Sequence, residues 1–232
     1  MRTLVVLVGS LVVLMLMNGC GQKQQEVVKD IIAHSDHASM ILENDYVKVM
    51  LFELKPNAGL PLHQGEPRLV YALSDYTIDW TEAGNTTEKS WQSGDAHWHE
   101  AGAHAIKNTG TSDARFLVVS RTSTPLPEVG ADALSQDASA VDTMHADVVY
   151  ENDHVRLMKV SLPAGESQPM HQGANRLLYA LSSYEIAYAS DQTDTVRTSF
   201  EAGEAHWHGA DEHAVENVGT TPAEFLVFAF KQ

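Results

Sequence analysis

Eight of the twelve histidines in this 232-residue chain fall into two matched sets. His63, His97, His99 and His104 form the first, and His171, His206, His208 and His213 the second. Each set begins with His-Gln-Gly (63–65 and 171–173), continues with Ala-His-Trp-His (96–99 and 205–208), and ends on one more histidine five residues on. The first motif recurs after 108 residues and the last histidine after 109. Imidazole ligates transition metals and exchanges protons near neutral pH, so metal binding and proton transfer are the chemistries such sets offer. Strand residues two apart share a face, so His97 and His99 could chelate together, as could His206 and His208. Three histidines and a water make a catalytic zinc arrangement. The same alternation puts Trp98 and Trp207 on the opposite face. Tryptophan is the natural filler of an apolar interior. The expectation is therefore that both tryptophans point into the core and turn His97, His99, His206 and His208 outward. His63, His104, His171 and His213 are then the stronger pocket candidates.

The positioning elements repeat with the histidines. Arg68-Leu69-Val70-Tyr71-Ala72-Leu73-Ser74 pairs with Arg176-Leu177-Leu178-Tyr179-Ala180-Leu181-Ser182, and Asn108-Thr109-Gly110-Thr111 with Asn217-Val218-Gly219-Thr220. A period above 100 residues is the size of a domain, not of a solenoid unit. The expected organisation is a signal peptide at 1–19, a tether at 20–38, a first repeat at 39–122, a Pro-, Ala- and Ser-bearing linker at 123–145 and a second repeat at 146–232. Alternation through Val47 to Phe52, short apolar runs at Leu69–Leu73, Tyr76–Trp80 and Phe116–Ser120, and turns at Ala83-Gly84-Asn85 and Ser93-Gly94-Asp95 predict an all-β fold of short strands. Tyr71 and Tyr179 read as core residues or as a face for a homodimer. Asn108 and Asn217 read as structural amides beside turns.

A net charge of −16 excludes an electrostatic grip on nucleic acid. Arg2, the apolar run Leu4–Met17 and the closing Asn18-Gly19-Cys20 have the layout of an export signal, and the run is short for a membrane span. The ending resembles a bacterial lipobox, with Cys20 as the lipidated residue. That implies an envelope protein held to the membrane by its lipid alone, on the outer membrane in a Gram-negative cell. Cys20 is the single cysteine, so neither an intramolecular disulfide nor a cysteine zinc site can form.

Gly94, His104 and Asn108, repeated as Gly203, His213 and Asn217, resemble the second motif of the cupins. His63 and His171 resemble the start of the first motif. The Glu-Asn-Asp opening (43–45 and 151–153) is similar to small cupins associated with β-alanine degradation. The resemblance implies a bicupin of two tandem double-stranded β-helix (jelly-roll) barrels. It also implies metal ligands at His63, His104, His171 and His213, but Gly65 and Gly173 stand where the family's second histidine would be. Arg68 and Arg176 stand nearest its glutamate. Three readings follow. One is metal-assisted chemistry or metal-dependent binding of a small molecule, with zinc favoured over iron or manganese because anionic oxygen ligands are missing. Another is a metal-free module that binds a small carboxylate through Arg68 and Arg176. The third is a structural envelope protein.

Overall fold

The computed structural model describes residues 27, 28, 31, 35–130 and 133–232. The export-signal residues and Cys20 lie outside the described residues. Two sandwiches follow one another. In the first, a five-stranded sheet runs β1 (Ala38–Glu43), β2 (Val47–Leu54), β9 (Ala114–Arg121), β4 (Arg68–Ala72), β7 (Ala96–His99). It faces a four-stranded sheet of β3 (Gly59–Gly65), β8 (Gly102–Asn108), β5 (Tyr76–Glu82) and β6 (Asn85–Trp91). After a short helix, α1 (Ala138–Val141), the second sandwich repeats the order. Its five-stranded sheet runs β10 (Ala146–Glu151), β11 (Val155–Leu162), β18 (Ala223–Phe230), β13 (Arg176–Ala180), β16 (Ala205–His208). Its four-stranded sheet runs β12 (Ser167–Gly173), β17 (Asp211–Asn217), β14 (Tyr184–Ser190), β15 (Val196–Phe200). Every pairing between these strands is antiparallel, the jelly-roll arrangement expected from the sequence.

Both faces of each five-stranded sheet are buried along its central strands, β2, β9 and β4 in the first and β11, β18 and β13 in the second. Phe52, Leu54, Val70, Phe116 and Val118 fill the first barrel, while Val47, Val49, Leu69, Leu117 and Val119 pack on Val155, Leu157, Leu177, Leu226 and Phe228 of the second. The outer face of one barrel is thus covered by the outer face of the other, and a third core lies between them. That core is reciprocal: Trp98 stacks on His154 at 4.9 Å, and Trp207 stacks on Tyr46 at 5.2 Å. Tyr71 and Tyr179 belong to it as well. The two repeats use on each other the face that a lone barrel would offer to a second copy.

Local details fix the ends of the strands that carry the histidines. The β5–β6 hairpin closes through Ala83 and Gly84, both at positive φ (49° and 79°), as a two-residue turn between right-twisted strands requires. Asn108 Nδ2 donates to the carbonyls of Leu54 and Ser112, both at 2.8 Å, and its Oδ1 accepts from the Gly110 amide at 2.9 Å. Asn217 makes the same three bonds with Leu162, Thr221 and Gly219. Both amides serve the fold, pinning β8 and β17 behind the histidines. The second repeat packs from upstream of its first strand: Ala133 and Ala138 join its core, and the Gln172 amide bonds to the Gln136 carbonyl. Val28 offers its carbonyl to Gln64 in the matching way.

Candidate anion-binding sites

Pairing register decides which way each histidine points, because directly opposed residues of an antiparallel pair share a face. Arg68 pairs with His99 and Val70 with His97, whereas Leu69 pairs with Trp98 and Tyr71 with Ala96. Leu69 and Tyr71 lie between the barrels, so Trp98 does too, and His97 and His99 face the interior. In the second repeat His206 and His208 face inward and Trp207 outward by the same register. This corrects the expectation that the tryptophans fill the barrels. The outer face looked like a solvent face to a single repeat, but the other barrel covers it.

All eight histidines therefore line two cavities. The first barrel holds one of about 660 Å3, walled by His63, His97, His99, His104, Arg68 and the aromatic residues Phe52, Tyr76, Trp80, Trp91 and Phe116. The second holds one of about 280 Å3, with His171, His206, His208, His213 and Arg176 among apolar side chains. A bulge between Leu60 and His63 in β3, matched between Gln168 and His171 in β12, brings His63 opposite His104 and His171 opposite His213. Each of these pairs has ring centroids 4.2 Å apart.

Arg68 and Arg176 are 6% and 4% exposed and lie inside the cavities, which rules out surface ion pairs for them. Arg68 Nη1 donates to the Glu66 carbonyl at 2.9 Å, and Nη2 lies 3.0 Å from His104 Nε2. A guanidinium can only donate, so His104 Nε2 accepts, and its proton sits on Nδ1, 3.3 Å from the Gly102 carbonyl. His63 donates from Nδ1 to the Pro61 carbonyl at 2.8 Å, which leaves its Nε2 as the free lone pair. Burial first, and Arg68 next, bring His99 and His104 down to about 3. Burial, with Lys89 and Arg68 behind it, brings His97 to about 4. The four imidazoles are neutral at pH 7. Burial also lowers Arg68 to about 10, which leaves it charged there.

Gly65 explains how a guanidinium fits. A Cβ on residue 65 would stand 2.3 Å from Arg68 Nη1 and 2.8 Å from His104 Cε1; on residue 173 it would stand 2.3 Å from Arg176 Nη1 and 2.8 Å from His213 Cε1. Against the ligand set that the resemblance implied, glycine and arginine form one exchange, and the same fit recurs in the second barrel. That exchange bears on the metal expected at His63, His104, His171 and His213. In the first barrel the Nε2 lone pair that a metal would need at His104 is taken by a cation. Among the described residues no group of three His, Cys, Asp or Glu side chains is arranged to hold an ion. His97 and His99 do not complete such a group, their rings being 4.8 Å apart and nearly perpendicular. The residues do not fit a resident metal in this arrangement.

Some side chains around the cavities escaped the sequence reading. Trp80 stacks on both His99 (4.5 Å) and His104 (4.1 Å), with Lys89 Nζ 4.7 Å from its ring and Arg68 Cζ 5.9 Å away. Trp91 stacks on His97 at 4.3 Å. His97 Nδ1 and His99 Nε2 are buried with no partner among the described residues. In the second barrel Asp211 joins Arg176, His213 and Tyr188.

No family model matches the chain, and no curated protein matches it in sequence. Solved structures do resemble it. AerE from Microcystis aeruginosa superposes with a TM-score of 0.64 at 16% identity, over 89% of this chain and 98% of that one. The oxalate decarboxylase of Bacillus subtilis, a protein with Mn(II) centres, gives 0.60 at 16% identity over 84% of this chain and 71% of that chain. At such identities the likeness speaks for architecture alone, and it agrees with the strand order. The chain has the cupin fold, as two tandem jelly-roll barrels.

Proposed function

We propose that the first barrel binds a small organic acid, without a resident metal, by seating its carboxylate on Arg68. The observation that carries this reading is a buried guanidinium that has no acid within ion-pairing distance among the described residues and faces a cavity of about 660 Å3. Taking an ion out of water costs several kcal/mol unless an opposite charge meets it, so such a site favours an anion. Lys89, over the Trp80 ring, adds positive charge near the guanidinium. Glu43, Lys48 and Glu66 also line the cavity, neither acid ion-pairing with Arg68. The neutral histidines add no charge, and the orphaned nitrogens of His97 and His99 supply polar contacts. The aromatic wall suits a flat apolar body. Arginine and a carboxylate match in bidentate geometry, which distinguishes a carboxylate from a neutral ligand of the same shape.

Calorimetric titration with benzoate and with benzamide tests this. Benzoate should bind and benzamide should not. Arg68→Ala should weaken benzoate at least ~30-fold, the lower end of what truncating one partner of a buried charge pair costs. Equal binding of the two probes, or an unaffected Arg68→Ala protein, would refute the proposal. The lipobox-like ending at Cys20 supports an envelope location for this binding protein, anchored by lipid.

A further inference from the structure

The two barrels differ at one register position that decides the state of the arginine. Gly65 pairs with Gly102, whereas Gly173 pairs with Asp211. Asp211 Oδ1 lies 2.9 Å from Arg176 Nη2 and 3.0 Å from His213 Nδ1, close enough for ion pairing though not aligned for full hydrogen bonds. Its Oδ2 accepts from the Tyr188 hydroxyl, and Tyr188 stands where the first barrel has Trp80. Burial opposes ionisation of Asp211, but the close approach of His213 and the charge of Arg176 outweigh it and hold the carboxyl well below the usual range. Arg176 is drawn off its histidine, with Nη2 at 3.4 and 3.5 Å from the two ring nitrogens of His213 against 3.0 Å for Arg68 and His104. The second cation is absent too, because Thr198 faces Ile186 where Lys89 faces Ile78.

From this contrast we infer that Asp211 is a built-in carboxylate occupying the place that the first barrel keeps open for a ligand carboxylate. This rests on the proposed function of the first barrel and extends it. The chain has one carboxylate site, not two. The ligand carboxylate is met over Gly102 by Arg68 on the side of His104, as Asp211 is met by Arg176 beside His213. Gly102 contributes no side chain there; the acid nearby is Glu82, whose Oε1 would stand 3.2 Å from a Cβ at residue 102 and whose charge acts on Arg68 from beyond ion-pairing distance. Glu82 is exposed and receives the Trp80 Nε1–H at 3.2 Å, so it remains at the rim. The second barrel, self-neutralised and with about 280 Å3 of mostly apolar space, is closed to acids.

Stoichiometry of benzoate binding reads this directly. The natural chain should bind one benzoate. Asp211→Gly should bind two, the second being lost again when Arg176→Ala is added. Gly102→Asp should abolish binding in the first barrel, weakening it at least tenfold, and this holds independently should Asp211→Gly fail to fold. Two benzoates bound by the natural chain, or one by the folded Asp211→Gly chain together with an unaffected Gly102→Asp chain, overturns the inference and leaves the proposed function standing. No benzoate bound by the natural chain overturns the proposed function itself.

Discussion

Replacing Gly65 with alanine probes the exchange on which both sites are built. The new methyl would stand 2.3 Å from Arg68 Nη1 and 2.8 Å from His104 Cε1, where carbon normally rests about 3.5–4 Å from its neighbours. The guanidinium must therefore retreat by more than ~1 Å. Its bonds to the Glu66 carbonyl and His104 Nε2 lengthen or break, each charge-assisted and worth about 1.5–3 kcal/mol. The charge stays in the cavity but out of bidentate register, so benzoate should weaken by roughly 10- to 100-fold, or ~1.4–2.8 kcal/mol. The decisive assay is a double-mutant cycle with Arg68→Ala, measured by calorimetry and by urea unfolding. If residue 65 acts through the guanidinium, Gly65→Ala should have no further effect on binding in the Arg68→Ala background. There the 2.8 Å approach to His104 Cε1 persists, so a cost to stability should remain, smaller than the one seen with the guanidinium in place. Equal losses of affinity in both backgrounds would refute the claim that glycine and arginine form one device.

Three further outcomes are expected. The folded chain keeps His97, His99, His104, His206, His208 and His213 at about 3–4, below the ~6.5 of an unfolded histidine, so between pH 6.5 and 4 the unfolded state binds more protons and stability falls with acid by up to ~1.4 kcal/mol per pH unit for each group. Urea melts across that range should show a steep decline, and a flat profile would contradict the burial of neutral imidazoles. Trp98→Ala removes a contact between the barrels and should cost about 2–3 kcal/mol, less than a fully buried tryptophan, with benzoate affinity within twofold of the natural chain; lost affinity at unchanged stability would return Trp98 to the pocket. Protein exposed to zinc and then dialysed should retain far less than one ion per chain by elemental analysis, and stoichiometric retention would overturn the misfit of the metal.

The fold was legible because its signals are local. Alternation, turn glycines and a duplicated motif specify short antiparallel strands without knowledge of what packs on them. Histidine direction was not local. Two strand residues share a face, but which face is the interior depends on what covers the other one. A hint lay in Arg68-Leu69-Val70-Tyr71-Ala72 and Ala114–Ser120, where consecutive residues are apolar instead of alternating with polar ones. A sheet with that pattern is buried on both sides. Read so, the tryptophans have an apolar place outside their own barrel. Trp80 and Lys89 gave no such hint, since their meeting over the His99 and His104 rings depends on how two sheets close. Asp211 was visible only as a difference between repeats, and it means nothing until Gly102 is known to face the arginine's side of the cavity.

The paired glycine and arginine also bear on the kind of recognition proposed for the first barrel. A divalent ion draws its ligands inward from several strands and concentrates two charges at a point. A guanidinium carries one charge spread over a plane, brings its own five donors, and needs its neighbours to stand back, which is the part Gly65 and Gly173 play. Such a group polarises a bound molecule weakly but orients it well. The second barrel supports this account, because there the same guanidinium is met by a carboxylate of the chain, with a histidine and a tyrosine around it. An arginine kept only for packing would not need an acid brought to it in one barrel while the other leaves an open cavity of more than twice the volume. The asymmetry argues that the charge of Arg68 is meant for something that arrives.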